Sequence, residues 1–338
     1  MEHNQLILSA KDVNIQFNLR GKVLHAIRGI DVDLYQGEVL AIVGESGSGK
    51  SVFTKSFMGL LDANGSITSG TIDYYGADDG KPIRLSDLKK EKDWLKVRGH
   101  EIAMIMQDPM TSLNPVYTIG NQIREVILLH TGKSKKEANE RAKELLTLVG
   151  INEPEKRLKQ YPHELSGGMR QRVMIAMALS CNPRLIIADE PTTALDVTIQ
   201  AQILDLLRNL KDKINSSIML ITHDLGVIAE MADYVVVMYA GRVVEKGTAQ
   251  EIFANPAHPY TIGLMASKPM VGKKVDKLYS IPGKVPNPIN MPNYCYFKDR
   301  CEMCVEGCQG EYPHMIQLSP THMVSCYRYY GKEDAQNG

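Results

Sequence analysis

The octet Gly44-Glu45-Ser46-Gly47-Ser48-Gly49-Lys50-Ser51 constrains this chain more than any other stretch. It matches GxxxxGK[ST] completely, directly after the apolar run Val39-Leu40-Ala41-Ile42-Val43 and before a helix. A continuously apolar pentad is the mark of a strand buried on both faces, as in a parallel sheet. Glycines between such a strand and a helix N-terminus let backbone N–H groups converge on phosphate oxygens. In that cradle Lys50 reaches the β- and γ-phosphates and the Ser51 hydroxyl ligates Mg²⁺. A glycine-rich turn matching by chance would not bring both the strand and the helix with it.

Further apolar runs, Leu185–Ala188, Ile218–Ile221 and Tyr234–Met238, share the buried-strand character. The first forty residues alternate instead (Val13, Ile15, Phe17; Ile30, Val32, Leu34), the period of half-buried strands. Helical patterns lie between the runs. Ser134 with Glu137 spells a capping box ahead of Ala138, Ala142, Leu145, Leu146 and Val149, and Gly150 stops it. A second helix is expected from Ser166-Gly167 to Asn182-Pro183, and a third from about Val197 to Leu210. Buried strands alternating with helices predict an α/β fold on a parallel sheet, with antiparallel strands at the N-terminal side. Beyond about Asn255 the periodicity fades and seven prolines, from Pro256 through Pro269 to Pro292, crowd into 37 residues, reading as a separate loop-rich appendage.

The 338 residues carry 39 Lys+Arg against 39 Asp+Glu, so the basic excess expected of a protein that grips nucleic acid by its phosphates is missing. The most basic stretch, Leu88–Arg98, is broken by Glu91 and Asp93 and reads as a solvated helix face. The opening residues have no basic region followed by an apolar stretch, and no apolar run approaches the roughly 18–20 residues of a spanning helix. A cytoplasmic location is therefore expected. Five of the six cysteines fall in the last 44 residues. In a reducing compartment such crowding points to a metal or cofactor ahead of disulfides.

Leu185-Ile186-Ile187-Ala188-Asp189-Glu190 supplies the complement of the glycine-rich loop. An apolar strand ending in carboxylates places Asp189 at the nucleotide's Mg²⁺ and lets Glu190 polarise the attacking water. Leu165-Ser166-Gly167-Gly168-Met169-Arg170-Gln171 follows the pattern of an N-cap with glycines that permit close approach. With Gln107 in MIMQDP, Asp196 in Ala194-Leu195-Asp196, and His223 after the Ile218–Ile221 run, this segment resembles the signature motif of the ATP-binding-cassette ATPases. The resemblance implies a P-loop nucleotide-binding domain over 1–255, with an antiparallel β subdomain, a helical subdomain at about 108–182, and a cysteine-containing extension over 256–338. It implies that Ser166, Gly167 and Gly168 complete the ATP site of a second cassette, closed head to tail on the first, and that Asp196 organises the seam. Gln107 would contact Mg²⁺ or the lytic water, and His223 would bond the γ-phosphate and align Glu190. Phe17 is the candidate for stacking on adenine.

The flanks resemble the peptide-importer branch of that family: the loop in the form GESGSGKS, Gln107-Asp108-Pro109-Met110-Thr111-Ser112-Leu113-Asn114-Pro115, Tyr161-Pro162-His163-Glu164, His258-Pro259-Tyr260-Thr261 and Ile281-Pro282-Gly283. The resemblance covers essentially the whole chain. It implies an ATP-hydrolysing subunit of an oligopeptide or dipeptide importer, peripheral on the cytoplasmic face of the membrane. Its partners would be a homologous F-type cassette or a second copy, two transmembrane permease subunits and an extracellular peptide-binding protein. The same branch implies that Cys295, Cys301, Cys308 and Cys326 hold a 4Fe-4S cluster, with Zn²⁺ as the alternative for four thiolates. Cys304 is an extra thiol outside that pattern. An importer of nickel or another small solute fits the same cassette. A soluble cassette acting on nucleic acid or ribosomes fits less well, lacking a second cassette or coiled-coil insertion. A redox-regulated binding module is a further reading of the tail.

Overall fold

The computed structural model describes residues 5–77, 80–193, 195–267 and 279–331. Its strands are β1 (Leu6–Leu19), β2 (Lys22–Tyr35), β3 (Val39–Val43), β4 (Gly65–Tyr74), β5 (Ile83–Arg84), β6 (Ile102–Ile105), β7 (Leu185–Asp189), β8 (Ser217–Ile221), β9 (Tyr234–Tyr239), β10 (Arg242–Thr248), β11 (Ile316–Gln317) and β12 (Met323–Val324). The described chain divides into two compact units. One takes in the residues up to Leu8, Leu34–Glu38 and Asp73–Ile221; the other takes in Ser9–Asp33, Val39–Ile72 and the residues from Thr222 onward.

In the first unit β6, β7 and β8 run parallel, with Ile102 opposite Leu185 and Leu185 opposite Ser217. Every residue of β7 and β8 is buried, the outcome expected of apolar runs covered on both faces. The helices Ile119–Thr131, Lys135–Leu148 and Gly167–Ala178 pack on one another beside this sheet. The capping box read from Ser134 and Glu137 is present, and Ala138, Ala142, Leu145 and Leu146 form the buried face. The helix from Gly167 ends at Ala178, short of Asn182-Pro183, because Leu179–Asn182 turn out of it and Asn182 takes a φ of 51°. The helix from Val197 runs a turn past Leu210 to Ile214, where Asn215 in the left-handed conformation caps it. Pro269 lies outside the described residues.

In the second unit β1 and β2 form a hairpin across Arg20-Gly21, both at positive φ (45° and 84°), as a type I′ turn requires. β4 lies beside β1. β3 pairs in parallel with β9, and β9 turns back through Ala240-Gly241 into antiparallel β10. The tail then extends this sheet. β12 pairs antiparallel with β10 through Glu245 and Lys246, and β11 pairs with β12. Val43, Val237 and Tyr239 share a core with Tyr260, Cys295, Tyr296, Phe297 and Cys308. Within it the Phe297 ring stands edge-on to Tyr239, with centroids 5.3 Å apart.

One buried carboxylate ties the tail down. Glu245 is fully buried and accepts hydrogen bonds from the backbone N–H of Ala257 (2.7 Å) and of His258 (2.8 Å). His322 Nε2 lies 2.8 Å from the same carboxylate. His258 in turn accepts the Tyr260 N–H at Nδ1, and burial pushes its imidazole down to about 4. A pKa depressed below the unfolded value of 6.5 means the unfolded chain takes up a proton that the folded chain refuses. The stability of the wild-type chain should therefore fall as pH drops from 6.5 toward 4, by up to about 3 kcal/mol from this group. Urea unfolding at stepped pH checks this, with His258→Gln expected to lose less stability than wild type over the same window.

Candidate active site

The glycine-rich loop leaves β3 with no room to spare. A Cβ on Gly44 would sit 2.2 Å from the Met238 carbonyl oxygen and 2.7 Å from Ser48 Oγ. Gly49 caps the short helix Lys50–Ser56 at a φ of 100°, which a side chain would strain. Lys50 is nearly buried, and its Nζ donates to the carbonyls of Gly44 (2.7 Å) and Glu45 (3.1 Å). The buried Ser48 hydroxyl has no hydrogen-bond partner among the described residues. Ser46 and Gly47 are exposed, and Ser51 is half-buried on the first turn of the helix. The site thus offers an ammonium folded over two carbonyls, an orphaned hydroxyl and a backbone only glycine can follow. Together these fit a phosphate chain with its Mg²⁺.

Residues of the tail hold Glu45. Its N–H donates to the Tyr260 hydroxyl at 2.7 Å, and its carboxylate takes both terminal nitrogens of Arg300, at 2.7 and 3.0 Å. Burial pushes the Tyr260 phenol up, so it stays a neutral hydroxyl.

In the first unit β7 ends at buried Asp189, and Glu190 follows at a φ of 48°. That conformation is costly for a glutamate and is held by its N–H bond to the Ile221 carbonyl at 2.8 Å. The Glu190 carboxylate accepts hydrogen bonds from Gln107 Nε2 (3.0 Å) and from the Thr193 hydroxyl (2.9 Å). Glu190 and Gln107, expected separately from two motifs, therefore meet. Thr193 was not expected. Its only signal in the sequence is its place three residues after an acid at a strand end.

Ser166 caps the helix Gly167–Ala178, its Oγ accepting from the Met169 N–H at 3.3 Å. Ser166 and Gly167 are exposed, and among the described residues nothing beyond its chain neighbours lies within 4 Å of where a Gly167 Cβ would stand. A Cβ on Gly168 would stand 3.0 Å from Ile199, a tight contact. Asp196 caps the helix Val197–Ile214 through Ile199 N–H (3.0 Å); Ala194 lies outside the described residues. In the second unit His223 is exposed two residues after β8. Phe17 is half-buried on β1, its ring filling the space left by the missing side chain of Gly65.

The tail cysteines converge. Cys295, Cys308 and Cys326 are buried, Cys301 is half-buried and Cys304 is exposed, all as free thiols. Burial first, then the neighbouring Cys308, Cys326 and Cys301, pushes the Cys295 thiol up to about 12. Cys301 and Cys326 are raised in the same way, by burial and then by neighbours that include Cys308. The Cys295 N–H points to the Cys308 carbonyl at 3.4 Å. Among the described residues no group of three or more His, Cys, Asp or Glu side chains stands ready-made around a metal position. No described helix is long and apolar enough to cross a membrane.

Comparison with known proteins agrees with this geometry. The family model described as ABC transporter matches residues 27–193, and the one described as oligopeptide/dipeptide transporter, C-terminal region, matches 244–308. The chain is 49% identical over 324 residues to the oligopeptide transport ATP-binding protein AppD of Bacillus subtilis, covering 96% of this chain and 97% of that protein. It is 50% identical over 322 residues to the dipeptide transport ATP-binding protein DppD of Lactococcus lactis, covering 95% and 90%. A solved dimeric ATP-binding cassette, MJ0796 in a post-hydrolysis state with ADP and Pi, superposes with a TM-score of 0.63 at 27% identity, over 72% of this chain and 99% of its own.

The Gln107–Glu190–Thr193 arrangement generates a direct prediction. Glu190→Gln keeps the shape and loses the carboxylate. ATP hydrolysis by the purified chain should drop at least about 100-fold while nucleotide binding stays within about twofold of wild type. Phosphate release and equilibrium binding on the same sample check it.

Proposed function

We propose, because this chain belongs to the ABC transporter ATPases and carries the C-terminal region of the oligopeptide/dipeptide transporters, that it powers import of oligopeptides or dipeptides. The observation that carries the reading is similarity along nearly the full length, cassette and tail together, to ATP-binding proteins named for peptide transport. The proposed organisation is a nucleotide-binding domain over 1–255, with its helical subdomain at about 108–182, and an extension over 256–338.

In this reading ATP enters with its adenine on Phe17 and its phosphates on Gly44–Ser51. Lys50 exchanges the carbonyls of Gly44 and Glu45 for β- and γ-phosphate oxygens. Ser51, Asp189 and Gln107 would hold Mg²⁺, which would supply positive charge to offset that of the phosphates. Glu190 takes a proton from the water that attacks the γ-phosphorus, the bond to the β-phosphate oxygen breaks, and ADP and phosphate leave. His223 bonds the γ-phosphate and keeps water and Glu190 in line. Positioning and charge compensation supply most of the rate in such a transfer.

Ser166, Gly167 and Gly168 complete the ATP site of a second cassette, and Asp196 lies at the seam. That second cassette is a homologous F-type subunit or another copy of this chain. Closure of the pair moves two transmembrane permease subunits, which receive peptide from an extracellular binding protein, so the chain works on the cytoplasmic face of the membrane. Peptide never contacts it.

Cys295, Cys301, Cys308 and Cys326 are the proposed ligands of a structural 4Fe-4S cluster. The Cys295, Cys301 and Cys326 thiols, raised by burial and by neighbouring cysteines, suit a cationic centre that would ionise them. Anaerobic purification with iron, sulfide and zinc analysis tests this. The reading expects iron and sulfide together, both lost in Cys308→Ser; zinc alone or no metal overturns it.

The transport reading is tested in proteoliposomes holding the full complex. Uptake of labelled peptide should require ATP, with Glu190→Gln reducing it at least about 100-fold. ATP-driven uptake of nickel without peptide contradicts it.

A further inference from the structure

Arg300 lies next to Cys301 in the tail and is 7% exposed, yet its side chain is spent on the phosphate loop. Its two terminal nitrogens fork onto the Glu45 carboxylate, Nη1 to Oε2 at 2.7 Å and Nη2 to Oε1 at 3.0 Å. Nη1 also reaches the Tyr239 hydroxyl at 3.2 Å, and Nε donates to the Pro282 carbonyl at 2.8 Å. The guanidinium is thus fixed from the strand side by Tyr239 and from the tail side by the Ile281-Pro282-Gly283 turn. Glu45 is equally committed. Its N–H is on Tyr260, its carbonyl accepts from Lys50, and its carboxylate is on Arg300. Every polar group of the second loop residue is held either by the tail or by the loop lysine.

A carboxylate in a loop built to receive a polyanion is an electrostatic liability. Like charges a few ångströms apart repel strongly where water is partly excluded. The Glu45 side chain is only 29% exposed, so solvent screens it incompletely. A bidentate guanidinium compensates that charge and fixes the position of the carboxylate more firmly than an ammonium would.

We propose that Arg300 is a positioning residue for nucleotide binding. By neutralising and anchoring Glu45 it makes the phosphate loop competent for ATP only when the C-terminal segment is docked. The cysteine segment thereby becomes part of the nucleotide site without touching the nucleotide. This rests on the reading of Gly44–Ser51 as the ATP site.

The test is titration of the purified full-length chain with a fluorescent ATP analogue, alongside thermal unfolding of the nucleotide-free protein. Arg300→Gln, which exposes the loop to an uncompensated carboxylate, should weaken binding about tenfold. Arg300→Lys, which keeps the charge and loses the fork, should weaken it less, about threefold, and serves if the glutamine variant does not fold. The deciding variant is the double change Arg300→Gln with Glu45→Gln. Removing the orphaned charge should restore most of the affinity, which a purely structural role for the ion pair would not do. Affinity within twofold of wild type in the single variants overturns the proposal, as does a double variant that binds no better than Arg300→Gln alone. A wild-type chain that does not bind the analogue overturns the ATP-site reading and this proposal together, so the two failures are told apart.

Discussion

Burial on both faces of the parallel strands is the constraint on which the rest depends. β3 carries no polar side chain along its covered length and β7 none before its last residue, Asp189, so chemistry can begin only where the strand stops. The candidate groups sit at those stops. Gly44 follows β3, Gln107 follows β6, Asp189 and Glu190 end β7, and His223 follows β8. This is the carboxyl-edge rule of α/β sheets, arising because strand ends are the first places where side chains and loop amides are freed from the ladder. The strained backbone at Glu190 belongs to the same logic, since a tight exit aims the carboxylate at Gln107 and Thr193.

The tail adds a second layer of constraint. A proline-dense segment with few regular elements gains stability by burying its aromatic residues against existing strands, and Phe297, Tyr296 and Tyr260 do so against Tyr239 and its neighbours. Two carboxylates, buried Glu245 and half-buried Glu45, then receive donors from tail residues. Breaking either pair would leave a charge stranded in a poorly solvated place, which costs far more than an exposed ion pair contributes. The tail is therefore held by a few non-substitutable contacts as well as by apolar area.

Much of this was legible in the sequence because it is local. Apolar runs marked β3, β7 and β8, Ser134 with Glu137 marked a helix start, and the loop octet marked the phosphate site. Helix ends were less legible. Ala178 is followed by a turn that no strong breaker announces, and the helix from Val197 continues a turn beyond where its periodic pattern stopped, to the left-handed cap at Asn215. The pairing of Arg300 with Glu45 spans 255 residues, and nothing in either residue's neighbourhood points to the other. The role of Tyr260 was invisible for the same reason, spanning 215 residues to Glu45; Thr193 bonds Glu190 only three residues away, but the local pattern does not single it out.

The most direct test of the account is a structure of the Glu190→Gln chain with ATP and Mg²⁺ bound, prepared without exposure to air. The account predicts phosphates on the amides of Gly44–Ser51, with Lys50 moved from the carbonyls of Gly44 and Glu45 onto them. Glu45 should remain on Tyr260 and Arg300 throughout. ATP bound elsewhere, or Glu45 released from Arg300 when the loop is filled, would contradict it.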